Sequence, residues 1–144
     1  MASVYDVAKY ILQKSGSMSA LKLQKLCYYS QAWSIAWTEK PLFEQEFEAW
    51  KNGPVCKELF NEHRGMFIVN QDNLNFGNSG NLDSDQQDTI NHVLTFYGHR
   101  DPYDLREQTH KEEPWKKARE GLREDELSNN IITKESMGEY YGNL

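Results

Sequence analysis

Cysteine is scarce in this chain, with two among 144 residues. Cys27 and Cys56 form no C-x-x-C pair and lie in apolar-flanked helical segments, which excludes a disulfide framework and makes buried, reduced thiols the expectation. Long hydrophobic runs are missing as well. No apolar stretch approaches the roughly 18 residues a membrane-spanning helix needs, and nothing at the N-terminus resembles a signal peptide, so a cytoplasmic location without a membrane partner is expected. A basic excess is also absent. The formal net charge is −6, distributed as +1 over residues 1–64, −5 over 65–105 and −2 over 106–144. Binding to nucleic acid rests on Lys and Arg neutralising phosphates, so this balance argues against a nucleic-acid partner and favours a basic one. No glycine loop of the phosphate-cradling type occurs, and the histidines at 63, 92, 99 and 110 show no ligand spacing with the cysteines. Neither cofactor nor metal is expected.

Aromatic residues are plentiful: they make up 12% of the chain, with four Trp and eight Tyr against a hydrophobic fraction of only 38%. Large burying side chains and a length of 144 residues point to one domain, residues 1–144, with a single core and no need of staples.

The periodicity is mostly helical. Ser3 caps a first helix with Asp6 in its first turn; Val4, Val7, Ala8, Ile11 and Leu12 form its apolar stripe, and Gly16 ends it. A long second helix follows the Ser17-Met18-Ser19 cap and runs to about Thr38. Leu23, Leu26, Cys27, Ser30, Trp33 and Trp37 share one stripe, while Leu21, Tyr28, Tyr29, Ala32, Ile35 and Ala36 carry apolar surface around the other sides. A helix apolar nearly all round is a central, buried one. Glu46 to Trp50 alternates with a strand period, and Met66 to Val69 is expected to pair with it as a small sheet. Asn52-Gly53 forms a turn, and Pro54 opens a third helix running to about His63. Residues 70–83, rich in Asn, Gly and Asp, read as a mobile surface loop with a brief strand at Leu74 to Phe76. Ser84 begins a helix with Gln87 in capping-box position and Ile90, Val93, Leu94 and Tyr97 turned inward. Asp101-Pro102 opens another, which breaks at Glu113-Pro114 and resumes with Trp115, Ala118 and Leu122 inward. The tail from Thr133 has Met137, Tyr140 and Tyr141 at helical spacing and is expected to fold back. The fold class is therefore mainly α with a small β-hairpin or sheet, arranged around a central buried helix.

Three collinear segments carry a resemblance. They are Lys22-Leu23-Gln24-Lys25-Leu26-Cys27-Tyr28-Tyr29-Ser30-Gln31-Ala32-Trp33, Ala49-Trp50-Lys51-Asn52-Gly53-Pro54-Val55, and Thr109-His110-Lys111-Glu112-Glu113-Pro114-Trp115. Together they resemble the Panacea antitoxin domain, the SocA-like family also known as the phage-associated GepA-like domain. Cys27, Cys56 and Phe60-Asn61 depart from that pattern. The resemblance implies an antitoxin, not an enzyme, that neutralises a cognate protein toxin by direct contact, and SocA-like members also hand toxins to an ATP-dependent protease. Trp33, Trp50, Gly53, Pro54, Thr109, His110, Pro114 and Trp115 are the motif positions assigned structural roles.

Partner contacts are expected on one edge of the second helix, from Lys22, Lys25 and one of Tyr28 and Tyr29. Aromatic anchors suit interfaces because they bury much area at modest entropic cost. The two lysines admit either a recognition edge or a buried ion pair. Thr109 and His110 are expected to shape the break between two helices, with His110 hydrogen-bonded across the bend; the rival assignment of this histidine as a general base lacks a paired nucleophile. A Cys56 thiol nucleophile lacks an electropositive surrounding. The run Lys116, Lys117, Arg119 and Arg123, interleaved with Glu120 and Glu124, reads as charge complementing a helix C-terminus. Two other functions stay open at this level: a DNA-binding regulator of its own operon, which needs a basic face, and a phage or prophage accessory protein.

Overall fold

The computed structural model describes residues 1–144 as seven helices and two small sheets around one apolar core. Helix α1 (Val4–Ser15) opens with a reciprocal capping box, in which Ser3 Oγ accepts from the Asp6 amide and the Asp6 carboxylate accepts from the Ser3 amide. Its whole expected stripe is buried. Strand β1 (Met18–Ser19) leads into α2 (Ala20–Thr38), whose N-cap is Ser19. Helix α2 is surrounded by α1, by α4 (Ser84–Tyr97), by α5 (Pro102–Lys111) and by α7 (Lys134–Gly142), which lies along it. The close approach of α7 rests on Gly138, where a Cβ would sit 2.9 Å from Ile35 Cγ2. Enclosure from several sides is the physical reason α2 tolerates apolar residues nearly all round.

Strand β2 (Phe47–Trp50) pairs antiparallel with β3 (Gly53–Val55) on one side and with β5 (Ile131–Ile132) on the other. Two expectations are corrected here. Met66 to Val69 does not join this sheet: β4 (Ile68–Val69) pairs with β1 in a separate two-stranded ribbon. Pro54 does not open the third helix. It faces Ala49 within the edge strand β3, where its missing N–H costs no ladder bond, and α3 spans Lys57–His63.

The 70–83 segment contains no strand. It forms two 3-10 turns, at Gln71–Asn73 and Ser79–Asn81, and is pinned by buried Leu74 and Leu82 and by Asp6 Oδ1, which accepts from the Asn78 amide at 2.7 Å. The cap of α4 lies one residue earlier than expected, with Asp83 and Gln86 forming the box. Helix α5 starts at Asp101-Pro102 as expected and breaks at Glu112, and α6 (Glu113–Ala118) resumes the chain with Trp115 buried. Leu122 lies beyond α6. No helix is long and apolar enough to cross a membrane.

Candidate functional site

Gln24, Lys25 and Gln31 of α2 point inward and bind the backbone of irregular segments. Gln24 pairs with both polar groups of Cys56: the Cys56 amide donates to Oε1 at 2.9 Å, and Nε2 donates to the Cys56 carbonyl at 3.2 Å. Lys25 Nζ donates to the Pro54 carbonyl at 3.0 Å. Gln31 serves the segment after α2, taking the Leu42 amide on Oε1 and giving Nε2 to the Phe43 carbonyl, both at 2.8 Å. Loops and short strands leave backbone groups that no ladder satisfies, and buried ones must find partners. The amides of Gln24 and Gln31 stand in for the missing strand neighbour. The lysines of the motif therefore part company. Lys25 is fully buried and cannot be a partner contact, because its ammonium is committed to the β2–β3 elbow; burial, helped by the nearby Arg106 charge, holds its pKa down to about 7. Lys22, half-exposed, remains at the surface. The buried ion pair that was the other reading of these lysines is replaced by a lysine bonded to a carbonyl.

The elbow is built to fit that lysine. Gly53 has φ +107°, and a Cβ there would meet Lys25 Cε at 2.5 Å and Thr109 Oγ1 at 3.0 Å. Only glycine satisfies both the left-handed backbone and the space. Trp50 and Trp33 are half-buried, Trp33 packing against the core from its edge. Trp50 packs edge-on against Phe60 with Lys57 over its ring, and its carbonyl receives Trp115 Nε1 at 2.8 Å. Trp115 occupies the buried position beside the elbow, stacked face to face on His110 at 3.9 Å between ring centroids.

His110 is not hydrogen-bonded across the bend. Its side chain is 6% exposed, Nδ1 stands 3.5 Å from Glu124 Oε1, and neither ring nitrogen has a hydrogen-bond partner; burial pushes its pKa down. Stacking on Trp115 is its principal contact, and Thr109 turns its hydroxyl back to the Arg106 carbonyl at 2.7 Å. Pro114 is buried in the first turn of α6. Arg119, expected to be a solvated helix-end cation, is instead buried, donating to the Ala49 carbonyl and to the carbonyls of Arg123, Glu124 and Glu126, so it folds the α6–β5 connection.

Tyr28 and Tyr29 are both fully buried, against the expectation that one of them faces out. Tyr29 Oη donates to Glu112 Oε1 at 2.8 Å, Tyr141 Oη donates to the same oxygen at 2.7 Å, and Gln108 Nε2 donates to Oε2 at 3.0 Å. The Tyr141 proton being committed to the carboxylate, the Tyr28 hydroxyl is the donor across its 3.2 Å contact with Tyr141 Oη. Burial raises the pKa of Glu112, and the three donors pull it back; the net direction is upward. This cluster joins α2, the α5–α6 break and α7. Sequence reasoning missed Glu112 because its partners lie 83 and 29 residues away, on other elements. Both thiols are buried and free, with the Cys56 pKa pushed up to about 12 by desolvation, so neither is a thiolate near neutrality.

Part of the exposed surface is apolar. Trp37, the last residue of the α2 stripe, is 49% exposed, and Phe96 on α4 is 67% exposed. With Trp33, Val93 and Tyr97 they line a groove of about 360 Å³ whose five walls are all hydrophobic. The floor is rigid: Trp33 Nε1 donates to Tyr97 Oη at 3.0 Å, and Tyr97 stacks on Tyr29 at 4.0 Å. Three larger depressions are lined mostly by polar and charged residues, one beside Trp50 and Lys57, one beside Thr38 and Asp85, and one over His110. Trp37 belongs to the periodic stripe, so its pattern alone marks it as core; nothing in the sequence shows that the covering elements stop short of it.

A positive stripe, the requirement of a DNA-binding face, is not formed by α2, whose two lysines are half-exposed Lys22 and buried Lys25. Helix α3 mixes Lys57 with Glu58 and Glu62. Comparison with known proteins gives one family: residues 23–116 match the family described as antitoxin SocA-like, Panacea domain. No curated protein and no solved structure matches the chain. The matched span begins at Leu23 inside α2, takes in the elbow and the buried Glu112, and ends inside α6; the chain belongs to the SocA-like antitoxin family of Panacea domains.

Proposed function

We propose that this protein is an antitoxin that neutralises the toxin encoded beside it through a stable protein–protein complex. The observation that carries the reading is the family match over residues 23–116, well over half the chain. The chemistry of the buried groups supports it. Three of the buried titratable side chains are engaged in the fold: Lys25 donates to a carbonyl, Glu112 accepts from three donors, and Cys56 is held as a neutral thiol. None of the three is paired with a second titratable group in the arrangement of nucleophile and base that acid–base or covalent catalysis needs. We read the protein as a binding module and not as an enzyme.

The test is co-expression. The adjacent open reading frame should arrest growth when induced alone, this chain should restore growth, and the two should co-purify at a fixed ratio. A neighbour that is harmless in every condition, or rescue without a complex, would overturn the reading. Toxin lifetime in the same cells separates two forms of the mechanism: an unchanged half-life is occlusion, and a shortened one is delivery to an ATP-dependent protease.

A further inference from the structure

Resting on that antitoxin reading, we propose that the cleft between the β2–β3 hairpin and residues 127–129 is where the toxin docks, and that it receives an extended segment bearing carboxylates. The cleft, of about 560 Å³, opens where two paired strands part. Strand β2 stays bonded to the chain entering β5 as far as the Ala49 amide, which donates to the Asn130 carbonyl at 2.8 Å. Beyond that bond Trp50, Lys51 and Asn52 form one wall, and Leu127, Ser128 and Asn129 form the other. The second wall is fixed at both ends, by Arg119 donating to the Glu126 carbonyl and by Ala49 donating to the Asn130 carbonyl. Between those anchors no main-chain N–H or C=O of Leu127, Ser128 or Asn129 has a partner within the chain. Three free peptide units in a row, leading into a β-strand, are the template to which an added strand bonds.

Charge selects the chemistry of the occupant. Lys51 and Lys57 are exposed in the cleft lining, and neither belongs to an ion pair. The Lys57 ammonium stands over the Trp50 ring at 5.5 Å and over the Phe60 ring at 5.7 Å. One carboxylate lines the cleft, that of Glu48, and its Oε1 accepts from Trp50 Nε1 at 2.8 Å. Acidic neighbours in sequence are engaged elsewhere: Asp125 and Glu126 with Arg123, and Glu58 with the Cys56 thiol. Two ammonium groups thus stand against one carboxylate, a local reversal of sign in a chain whose net charge is −6. Carboxylates of a partner segment would meet Lys51 and Lys57, and such pairs steer encounter as well as fix register. Trp50 and Leu127, the latter 84% exposed, supply apolar surface in the same cleft. A helix is a poorer occupant, because its main-chain groups bond to one another and would leave residues 127–129 unmet. Nucleic acid is poorer as well, since its phosphates would face Glu48 along with the lysines.

The experiment uses the toxin identified in the rescue assay, purified and titrated onto the intact chain and two charge-reversed variants. Salt is held at about 0.15 M, where exposed charges more than about 8 Å apart are largely screened. Lys51→Glu with Lys57→Glu should weaken binding by about tenfold or more. Both side chains are exposed and a carboxylate suits the first turn of α3, so the melting temperature should stay within about 3 °C of the parent. Lys116→Glu with Lys117→Glu, on α6, changes the net charge equally and should bind as the parent does. Amide exchange gives the second readout. Leu127, Ser128 and Asn129 should exchange fast in the free chain and slowly in the complex. If the parent rescues and binds while reversal at Lys51 and Lys57 costs no more than reversal at Lys116 and Lys117, the cleft assignment falls and the antitoxin reading stands. If the parent itself fails to bind, the antitoxin reading falls and takes the proposal with it. A complex in which the 127–129 amides still exchange fast overturns the added strand. Tripolyphosphate that slows the same amides without the toxin would assign the cleft to a phosphate ligand instead.

Discussion

The two halves of α2 invert each other. From Leu23 to Gln31 the helix buries its polar groups, and from Trp33 to Thr38 it carries the exposed Trp37. The first half teaches that a buried Gln or Lys on a central helix acts as a piece of backbone: Gln24 and Gln31 each satisfy an N–H and a C=O of neighbouring segments, as a strand would. The second half teaches the complementary lesson. Its covering elements end before the stripe does, and the last tryptophan is left on the surface beside Phe96.

The comparison breaks most visibly at Gln31. Gln31→Leu removes the partners of the Leu42 amide and the Phe43 carbonyl, and each orphaned buried group costs about 1–3 kcal/mol, so a total loss of about 3 kcal/mol is expected in urea unfolding. A loss under about 1 kcal/mol would mean that water replaces the side chain. Next is Gly53→Ala, which should cost about 2–3 kcal/mol through positive φ and crowding of Lys25. Combining it with Lys25→Ala should give less than the sum of the single losses, since the space the new methyl needs is then free. Strict additivity would show that backbone strain, and not the lysine, sets the requirement for glycine.

Lys25 itself sharpens the comparison through pH. Its folded pKa of about 7 lies below the unfolded value of 10.5, so the native state binds fewer protons than the unfolded state between these limits, and stability rises with pH through that window. The contribution is complete above the unfolded pKa and is lost as pH falls through 7. Relative to Lys25→Met, the parent should gain about 2–3 kcal/mol between pH 6 and pH 9. Parallel stability profiles for the two proteins would show that the ammonium is solvated and that the elbow holds without it. The smallest effect on stability belongs to the exposed half: Trp37→Ala should cost no more than about 1 kcal/mol, because much of the ring already meets water. A loss of about 3 kcal/mol would place Trp37 in the core after all.

Much of this architecture is legible in the residues. The Ser3 capping box, the extent of α2, the Asp101-Pro102 start of α5 and the return of the C-terminal helix all follow from local rules of capping and period, which depend on neighbours within a turn. What fails is non-local. Pro54 satisfies the rule for a helix start and equally the rule for an edge strand, and only the pairing with Ala49 decides. Tyr28 and Tyr29 point in different directions from α2, and a one-sided view exposes one of them; α7, over a hundred residues on, provides the second cover through Tyr141. The apolar character of α2 on every side already carried that information. At the candidate site the polar anchors are hidden by their own chemistry, since a Gln or Lys beside Leu reads as a solvated edge until the backbone it serves is located.

Hydrogen–deuterium exchange of this chain and its Gln24→Leu variant tests the division of α2 most directly. The Cys56 amide, which donates to Gln24 Oε1, is expected to exchange slowly in the parent and to lose that protection in the variant, with the exposed end of α2 unchanged. Protection of Cys56 that survives the substitution would contradict the account.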